Sequence, residues 1–530
     1  HNGSKSAGDS LSPQMKIVKD ICSKTDYQEA CQNSLSPAAD KGNTDPKEFI
    51  KSAIQATINE VAKSANFSDA LVQNVSSIPR VKMAAEDCKD LLSFATDELQ
   101  ASFSTVGDSD MHTINDRSAD LKNWLSAVIS YQQTCLDGFD APEYRTLMEQ
   151  NLQDASLLTS NALAIVSELA DILKAFGLEF NIKPSGRRRL LSQDGYPTWF
   201  SGSDRKLLAL VDNGRIRPNA IVAKDGSGQF KTIAAALAAY PKNLRGRYVI
   251  YVKAGIYNEY ITVEKTQPNI FMFGDGPRKT IVTGRKSYRD GITTFKTASF
   301  STMGEGFIAK SMGFQNTAGP EGHQAVALRV QADRSAFFNC RMDGYQDTLY
   351  VQTHRQFFRN CVISGTVDFI FGDAAAVIQN SLIIVRKPMD NQQNTVTAQG
   401  RHDKRETTGL VIHNCRIVPE QKLFAQRFTI PTYLGRPWKE YARTVIMETT
   451  LADFIQPVGY MPWAGSFALS TCSYFEYANR GPGARTVRRV RWKGARVISR
   501  SEALQFTAGP FLQGNLWLKA TGFPFLLGLR

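Results

Sequence analysis

Four short apolar runs, each followed by Asn, recur in the second half of the chain: Phe337-Phe338-Asn339-Cys340, Phe357-Phe358-Arg359-Asn360-Cys361, Val377-Ile378-Gln379-Asn380-Ser381 and Val411-Ile412-His413-Asn414-Cys415. The first three copies lie 20 or 21 residues apart and the fourth lies 34 further on, which leaves room for an inserted loop. A period near 20 built from β-branched and aromatic residues is the signature of stacked coils, each too small to bury its apolar face alone. Leucine-rich repeats share the period, but their Leu spacing is absent. The pattern predicts a right-handed parallel β-helix over residues 215–530, with the recurring Asn side chains forming a ladder.

In such a stack, residues one period apart are neighbours, so the polar positions become informative. Gln324 precedes Ala325-Val326-Ala327-Leu328-Arg329, Gln346 and Asp347 lie within Gly344–Tyr350, and Asp368 opens Asp368-Phe369-Ile370-Phe371-Gly372. The separations of 22, 1 and 21 residues gather two carboxylates and two amides on one face of three successive coils. Asp368 stands among apolar residues, where an unpaired carboxylate is costly, and Arg436 in Leu434-Gly435-Arg436-Pro437-Trp438 is a candidate ionic partner. An ion-paired Asp368 would stay nucleophilic, the like charge would push Asp347 towards its acid form, and amide donors would serve a developing oxyanion. Taken singly, an Asp at such a turn more often caps backbone groups, and a Gln more often joins a ladder. The set at coil spacing is what favours chemistry. Cys340 and Cys361 occupy equivalent places in successive copies, and strands about 4.8 Å apart are within reach of a disulfide, so those two are expected to pair.

The first part of the chain is different. Residues 1–186 hold 16 Lys and Arg against 26 Asp and Glu, a net of −10; residues 187–530 hold 47 against 24, a net of +23. Two parts of opposite sign attract each other, and the basic part attracts polyanions. Apolar residues at three- and four-residue spacing over 52–65, 82–99 and 151–175 predict helices packed as an antiparallel bundle over 1–186. A basic linker covers 187–214; its exposed runs Arg188-Arg189-Leu190-Leu191 and Arg205-Lys206-Leu207-Leu208 suit processing proteases. The eight cysteines fall four and four, without a CxxC pair, and Asn-x-Ser sequons stand at Asn2, Asn66 and Asn74. These features favour an oxidising, secretory compartment with glycosylation. No run of 18 apolar residues suggests a membrane span, and the opening segment has no signal-peptide character, so a targeting segment is expected outside this chain. The sequence contains no Gly-x-Ser-x-Gly elbow, P-loop, His-Glu-x-x-His, calcium loop or nucleic-acid motif.

The segments Gly255–Glu259, Gln324–Arg329, Gly344–Tyr350, Asp368–Gly372 and Leu434–Trp438 resemble, in order and spacing, five signature motifs of plant pectin methylesterases over roughly 216–530. The acidic part resembles the invertase/pectin methylesterase inhibitor domain, a four-helix bundle with two disulfides. The resemblance implies Asp368 as nucleophile, Asp347 as acid and then base, and Gln346 as oxyanion donor. It implies Gln324 and Thr294 at the substrate, Arg436 orienting Asp368, and Trp438, Tyr350, Phe371 and Trp463 lining an aromatic cleft. It also implies Cys22–Cys31 and Cys88–Cys135 bonds, processing at the two basic sites, no cofactor or metal, and hydrolysis of methyl-esterified homogalacturonan in the cell wall, with an inhibitor as partner. Many members carry Cys where this chain has Ser381, which leaves the pairing of Cys415 and Cys472 open. Another β-helix pectin enzyme, a polygalacturonase or lyase, and an inactive polyanion-binding wall protein are the competing readings.

Overall fold

The structure, a computed structural model, describes residues 10–110, 113–177 and 216–530. The linker 187–214 with its basic sites at 188–191 and 205–208, and Asn2, lie outside the described residues. The chain divides into two compact units, His1–Lys183 and Pro184–Arg530.

Seven helices make up the described part of the first unit: α1 Pro13–Cys22, α2 Gln28–Asp40, α3 Pro46–Asn74, α4 Pro79–Asp108, α5 Ser118–Asp137, α6 Pro142–Ser167 and α7 Leu169–Ala175. Helices α1, α3, α4 and α6 begin with Pro at a position where the missing N–H has no intrahelical partner to lose. Ser12 and Asp45 cap the first turns of α1 and α3. α3 to α6 form a ring in which each helix packs on two others. The buried stripe of α4 (Val81, Ala84, Ala85, Cys88, Leu91, Leu92, Ala95, Leu99) shows why the helical spacing was legible. Cys22–Cys31 ties α1 to α2, and Cys88–Cys135 ties α4 to α5. The stretch read as one helix over 151–175 is two, bent by 69° at Glu168. Asn66 and Asn74 are exposed on α3. Among the described residues no single helix is long and apolar enough to cross a membrane.

The second unit is a parallel β-helix of three sheets, with eleven, eight and seven strands. One coil shows the plan: Arg355–Arg359 in the first sheet, Val362–Gly365 in the second, Ile370–Gly372 in the third. Neighbouring coils pair in register, for example Phe357 with Val377 and Val377 with Val411. Inside, Phe337 and Phe358 stack at 5.0 Å. In the central coils the turn from the first sheet to the second opens on a left-handed residue, which is Asn339, Asn360, Asn380 or Asn414 with φ of 50–52°. Asn takes this conformation at lower cost than other non-glycine residues. The expected ladder forms in part: Asn414 Nδ2 donates to Asn380 Oδ1 at 2.8 Å, and Asn339 Nδ2 donates to Ser311 Oγ at 3.0 Å.

The next column holds Cys340, Cys361, Ser381 and Cys415, and here one expectation fails. Cys340 and Cys361 are neighbours in register, as the paired Arg341 and Val362 require, but both are free, as are Cys415 and Cys472. A disulfide needs the two Cβ atoms turned towards each other at about 3.8 Å. Stacked side chains instead point the same way into the core, and each thiol turns back onto backbone carbonyls: Cys340 on Phe338 at 3.4 Å, Cys361 on Arg359 at 3.4 Å. The outer face of the eleven-stranded sheet is also apolar (Phe271, Ile308, Phe357, Val377, Val411, Val445) and is covered by the closing segment through Leu512, Trp517, Leu518 and Phe523.

Gly372 ends its strand at φ 130°, and a Cβ there would run into the Val351 carbonyl of the coil before. Gly372→Ala is expected to destabilise the β-helix unit by roughly 2–4 kcal/mol. Gly528→Ala, where nothing lies within 4 Å, is expected to stay within about 0.5 kcal/mol of the parent. Paired denaturant titrations check both.

Candidate active site

The seven-stranded sheet gathers the acidic and aromatic residues. Leu349 pairs with Ile370 and Tyr350 with Phe371, so Asp347 and Asp368 occupy equivalent places on successive coils. Both have left-handed backbone, φ 61° and 51°, a conformation that costs a non-glycine residue about 1–3 kcal/mol and clusters at functional sites. The Asp347 N–H donates to the Val367 carbonyl at 3.0 Å, and the Asp368 N–H donates to Thr395 Oγ1 at 2.8 Å.

The two side chains meet different surroundings. Asp368 is 5% exposed and fully engaged: Arg436 Nε donates to Oδ1 at 2.8 Å, Arg436 Nη2 to Oδ2 at 2.6 Å, and Thr395 Oγ1 to Oδ1 at 2.6 Å. Such a two-bond guanidinium clamp fixes orientation as well as charge. Asp347, 7% exposed, receives no donor at its carboxyl group among the described residues. Burial, and next the charge of Asp368, push its pKa well above the usual carboxylate range, and Arg436 opposes them only in part. One acid is therefore held in an ion pair while its neighbour is biased towards its protonated form.

Gln346 and Gln324 are half-buried beside this pair, linked through the Ala325 N–H, which donates to the Gln346 carbonyl at 3.2 Å. Their side-chain amides make no hydrogen bond among the described residues, which leaves the N–H groups available. Tyr350 and Phe371 stack at 4.2 Å, and Trp438 meets Phe371 edge-on at 5.9 Å, forming one aromatic row. Trp463 instead lies against the Arg436 guanidinium at 4.3 Å, covering the clamp. Thr294 begins the short turn Thr294–Lys296, and no hydrogen bond ties it to the carboxylates among the described residues. Thr395 went unread in the sequence. It stands 27 residues after Asp368, one coil lengthened by the loop at 386–393, and the β-branched run Thr395-Val396-Thr397 was the signal available.

A parallel β-helix whose outer face pairs a clamped carboxylate with a protonated one, beside an aromatic row, belongs to the polysaccharide-processing class. Residues 219–515 match the family model described as Pectinesterase, and residues 16–165 match that described as plant invertase/pectin methylesterase inhibitor. The chain belongs to the pectinesterase family and is an enzyme that removes methyl esters from pectin. Pectinesterase/pectinesterase inhibitor 45 of Arabidopsis thaliana is 48% identical over 97% of this chain and 84% of its own length. Pectinesterase 1 of Citrus sinensis is 44% identical over 100% of this chain and 91% of its own. The solved pectin methylesterase from carrot, 53% identical, covers 59% of this chain and 99% of its own with a TM-score of 0.59.

Because folded Asp347 holds its proton more tightly than the unfolded chain, which releases it near the ordinary aspartate value of 3.8, its contribution to stability is present at lower pH and is lost as pH rises through the folded pKa. Asp347→Asn is expected to make the fall in stability above pH 4 shallower by up to about 1.4 kcal/mol per pH unit. Denaturant midpoints measured across pH check this.

Proposed function

We propose that Asp368 is the nucleophile and Asp347 the general acid and then base of pectin demethylation. The carrying observation is the division just described, an arginine-clamped carboxylate beside a carboxyl group that burial keeps protonated. A carboxylate oxygen of Asp368 attacks the C6 carbonyl carbon of a methyl galacturonate, and the oxygen that takes up the electron pair is met by amide N–H groups of Gln346 and Gln324. As the intermediate collapses, the C–O bond to the methoxy group breaks and Asp347 gives it a proton, releasing methanol. Water then loses a proton to the Asp347 carboxylate and attacks the acyl carbon. Asp368 leaves as carboxylate, and the product is the free acid. Half-buried Trp438 supplies flat apolar surface for a sugar ring, with the buried Tyr350 and Phe371 packed as its backing, and Thr294 is read as a further substrate contact. The substrate places the reaction in the cell wall, which the enzyme reaches by secretion.

Asp368→Asn and Asp347→Asn are each expected to lower methanol release by roughly 10³-fold or more with the fold intact. A folded Asp368→Asn protein with near-normal turnover would sink the assignment.

The inhibitor-like unit is proposed to restrain the enzyme until cleavage near Arg189 or Lys206, supported by the opposed net charges of −10 and +23. Tethering raises the effective concentration to about millimolar. Cleaved chain is expected to release methanol faster than intact chain at low salt, with the gap narrowing as the Debye length shrinks below about 10 Å. Equal rates at low salt would remove this role.

A further inference from the structure

Behind the aromatic row lies a second pair of acids that the proposed chemistry does not use. Asp373 directly follows Gly372, at the end of the strand that carries Phe371, and is 5% exposed; Glu406, from the loop after Gln399, is 1% exposed. Asp373 Oδ1 accepts from Thr408 Oγ1 at 2.6 Å and Gln399 Nε2 at 3.4 Å. Glu406 Oε2 accepts from the backbone N–H of His402 at 2.7 Å and Asp403 at 2.9 Å. The other two oxygens, Asp373 Oδ2 and Glu406 Oε1, are sealed from solvent and receive no outside donor. The two carboxyl groups are within hydrogen-bonding reach of each other.

Two guanidinium groups stand close by but do not supply the missing donors. Arg401 donates to the carbonyls of Glu406 at 2.9 Å, Tyr441 at 3.4 Å and Lys404. Arg443 donates to the carbonyls of Thr408 at 2.8 Å and Glu406 at 3.3 Å. Both cations are spent on backbone, and their charge argues against a metal ion in the gap. Two carboxylates this near each other in a dry site, each with an oxygen that has no donor, repel, whereas one proton held between them relieves the repulsion. The pair also connects to Trp438. Gln399, which holds Asp373, accepts at its Oε1 from the N–H groups of Arg401 and Arg443, each at 2.8 Å, and its carbonyl accepts from the Trp438 N–H at 3.2 Å. Gly400 bonds through its N–H to the Gly372 carbonyl at 2.8 Å, and a Cβ on it would come within 2.8 Å of the Trp438 ring.

We propose that Asp373 and Glu406 share one proton, and that this bond holds segment 399–408 beneath Trp438, so that losing the proton at high pH loosens the sugar platform. The pair is a positioning device, and its link to catalysis rests on the reading of Trp438 as substrate-binding. Burial first, and then the neighbouring acid, push Glu406 well above its ordinary range against the Asp403 backbone N–H that it accepts; burial raises Asp373 to about 6 against the pull of its hydrogen bonds and Arg401. The groups facing the pair are thus Arg401, Arg443, Asp403, Tyr441, Thr408 and Gln399. Since the folded chain holds this proton more tightly than the unfolded one, the clamp is present at low pH and is lost as pH rises through the pair's folded pKa.

The test uses the full chain with methyl-esterified pectin. KM of the parent is expected to climb on the alkaline limb, by at most about tenfold per pH unit for one proton, separately from any fall in kcat as Asp347 loses its proton, a fall that Glu406→Gln should share with the parent. Glu406→Gln, whose amide donates to Asp373 at every pH, should flatten that climb and leave KM close to its low-pH value. In infrared spectra, a protonated-carboxyl band that titrates with pH should persist in Asp347→Asn and vanish in Glu406→Gln. A band unchanged by Glu406→Gln, or a KM profile that still rises as in the parent, would overturn the proposal. If Glu406→Gln fails to fold, Asp373→Asn takes its place, and absence of the band from Asp347→Asn would overturn the shared proton by itself. Trp438→Ala separates the two readings: unchanged KM with the band intact would overturn the platform assignment and the link to binding, not the shared proton.

Discussion

In-register pairing of parallel strands, coil upon coil, is the constraint on which the rest of this enzyme depends. Every backbone N–H and C=O in the stack must find its partner one coil away, so a residue's place in the coil fixes which side chains lie above and below it. Phe337 lies on Phe358, Asn380 under Asn414, and Asp347 beside Asp368 for this one reason. A one-residue slip would separate the acids and break every column together. The same rule sets where irregularity is allowed. Loops leave the stack between strands, and the lengthened coil at 386–393 returns in register at Asn394–Gln399 to deliver Thr395 to Asp368 and Gln399 to Asp373.

The β-helix treats its buried acids in three ways. Asp368 is neutralised by a guanidinium with two bonds. Asp347 has no such partner and keeps its proton through burial. Asp373 and Glu406 sit against each other while the nearby arginines are committed to carbonyls. Taking a carboxylate out of water is costly, and the choice among ion pair, protonation and sharing follows from which donors the coil geometry brings near. Proximity of a cation is not enough. Arg401 and Arg443 are close to two acids and donate to neither, because the loop's own carbonyls claim them first.

How far the sequence could be read follows from how local the signal was. Helical spacing over α3 and α4 and the near-20-residue period were visible because each element repeats its own pattern, and Asp347, Asp368 and Gln346 fell out of that period. Arg436 was reached only through its motif, since 68 residues and an inserted loop separate it from Asp368. The period alone brought Cys340 and Cys361 together correctly but says nothing of which way a thiol points, and that decided against the bond. The bend at Glu168 falls within an unbroken apolar pattern that carries no Pro or Gly to announce it. Asp373 and Glu406 lie 33 residues apart across the irregular coil, and only the folded loop shows that two of their oxygens have no other partner.

The closing segment that covers the eleven-stranded sheet has a consequence for how the protein is made. Leu512, Trp517, Leu518 and Phe523 seal apolar positions contributed by strands from Val249 to Met447, and Gln379 grips the Leu526 backbone from both sides, at 2.8 and 2.9 Å. Synthesis runs from the N-terminus, so the coils can stack as they emerge, but their outer wall stays bare until residues 512–526 leave the ribosome. During that interval the nascent chain presents a long greasy strip to whatever surrounds it. A stop codon ahead of Leu512 would leave the catalytic residues encoded and the strip uncovered, a product exposed to chaperones and proteases although its active-site residues are all present.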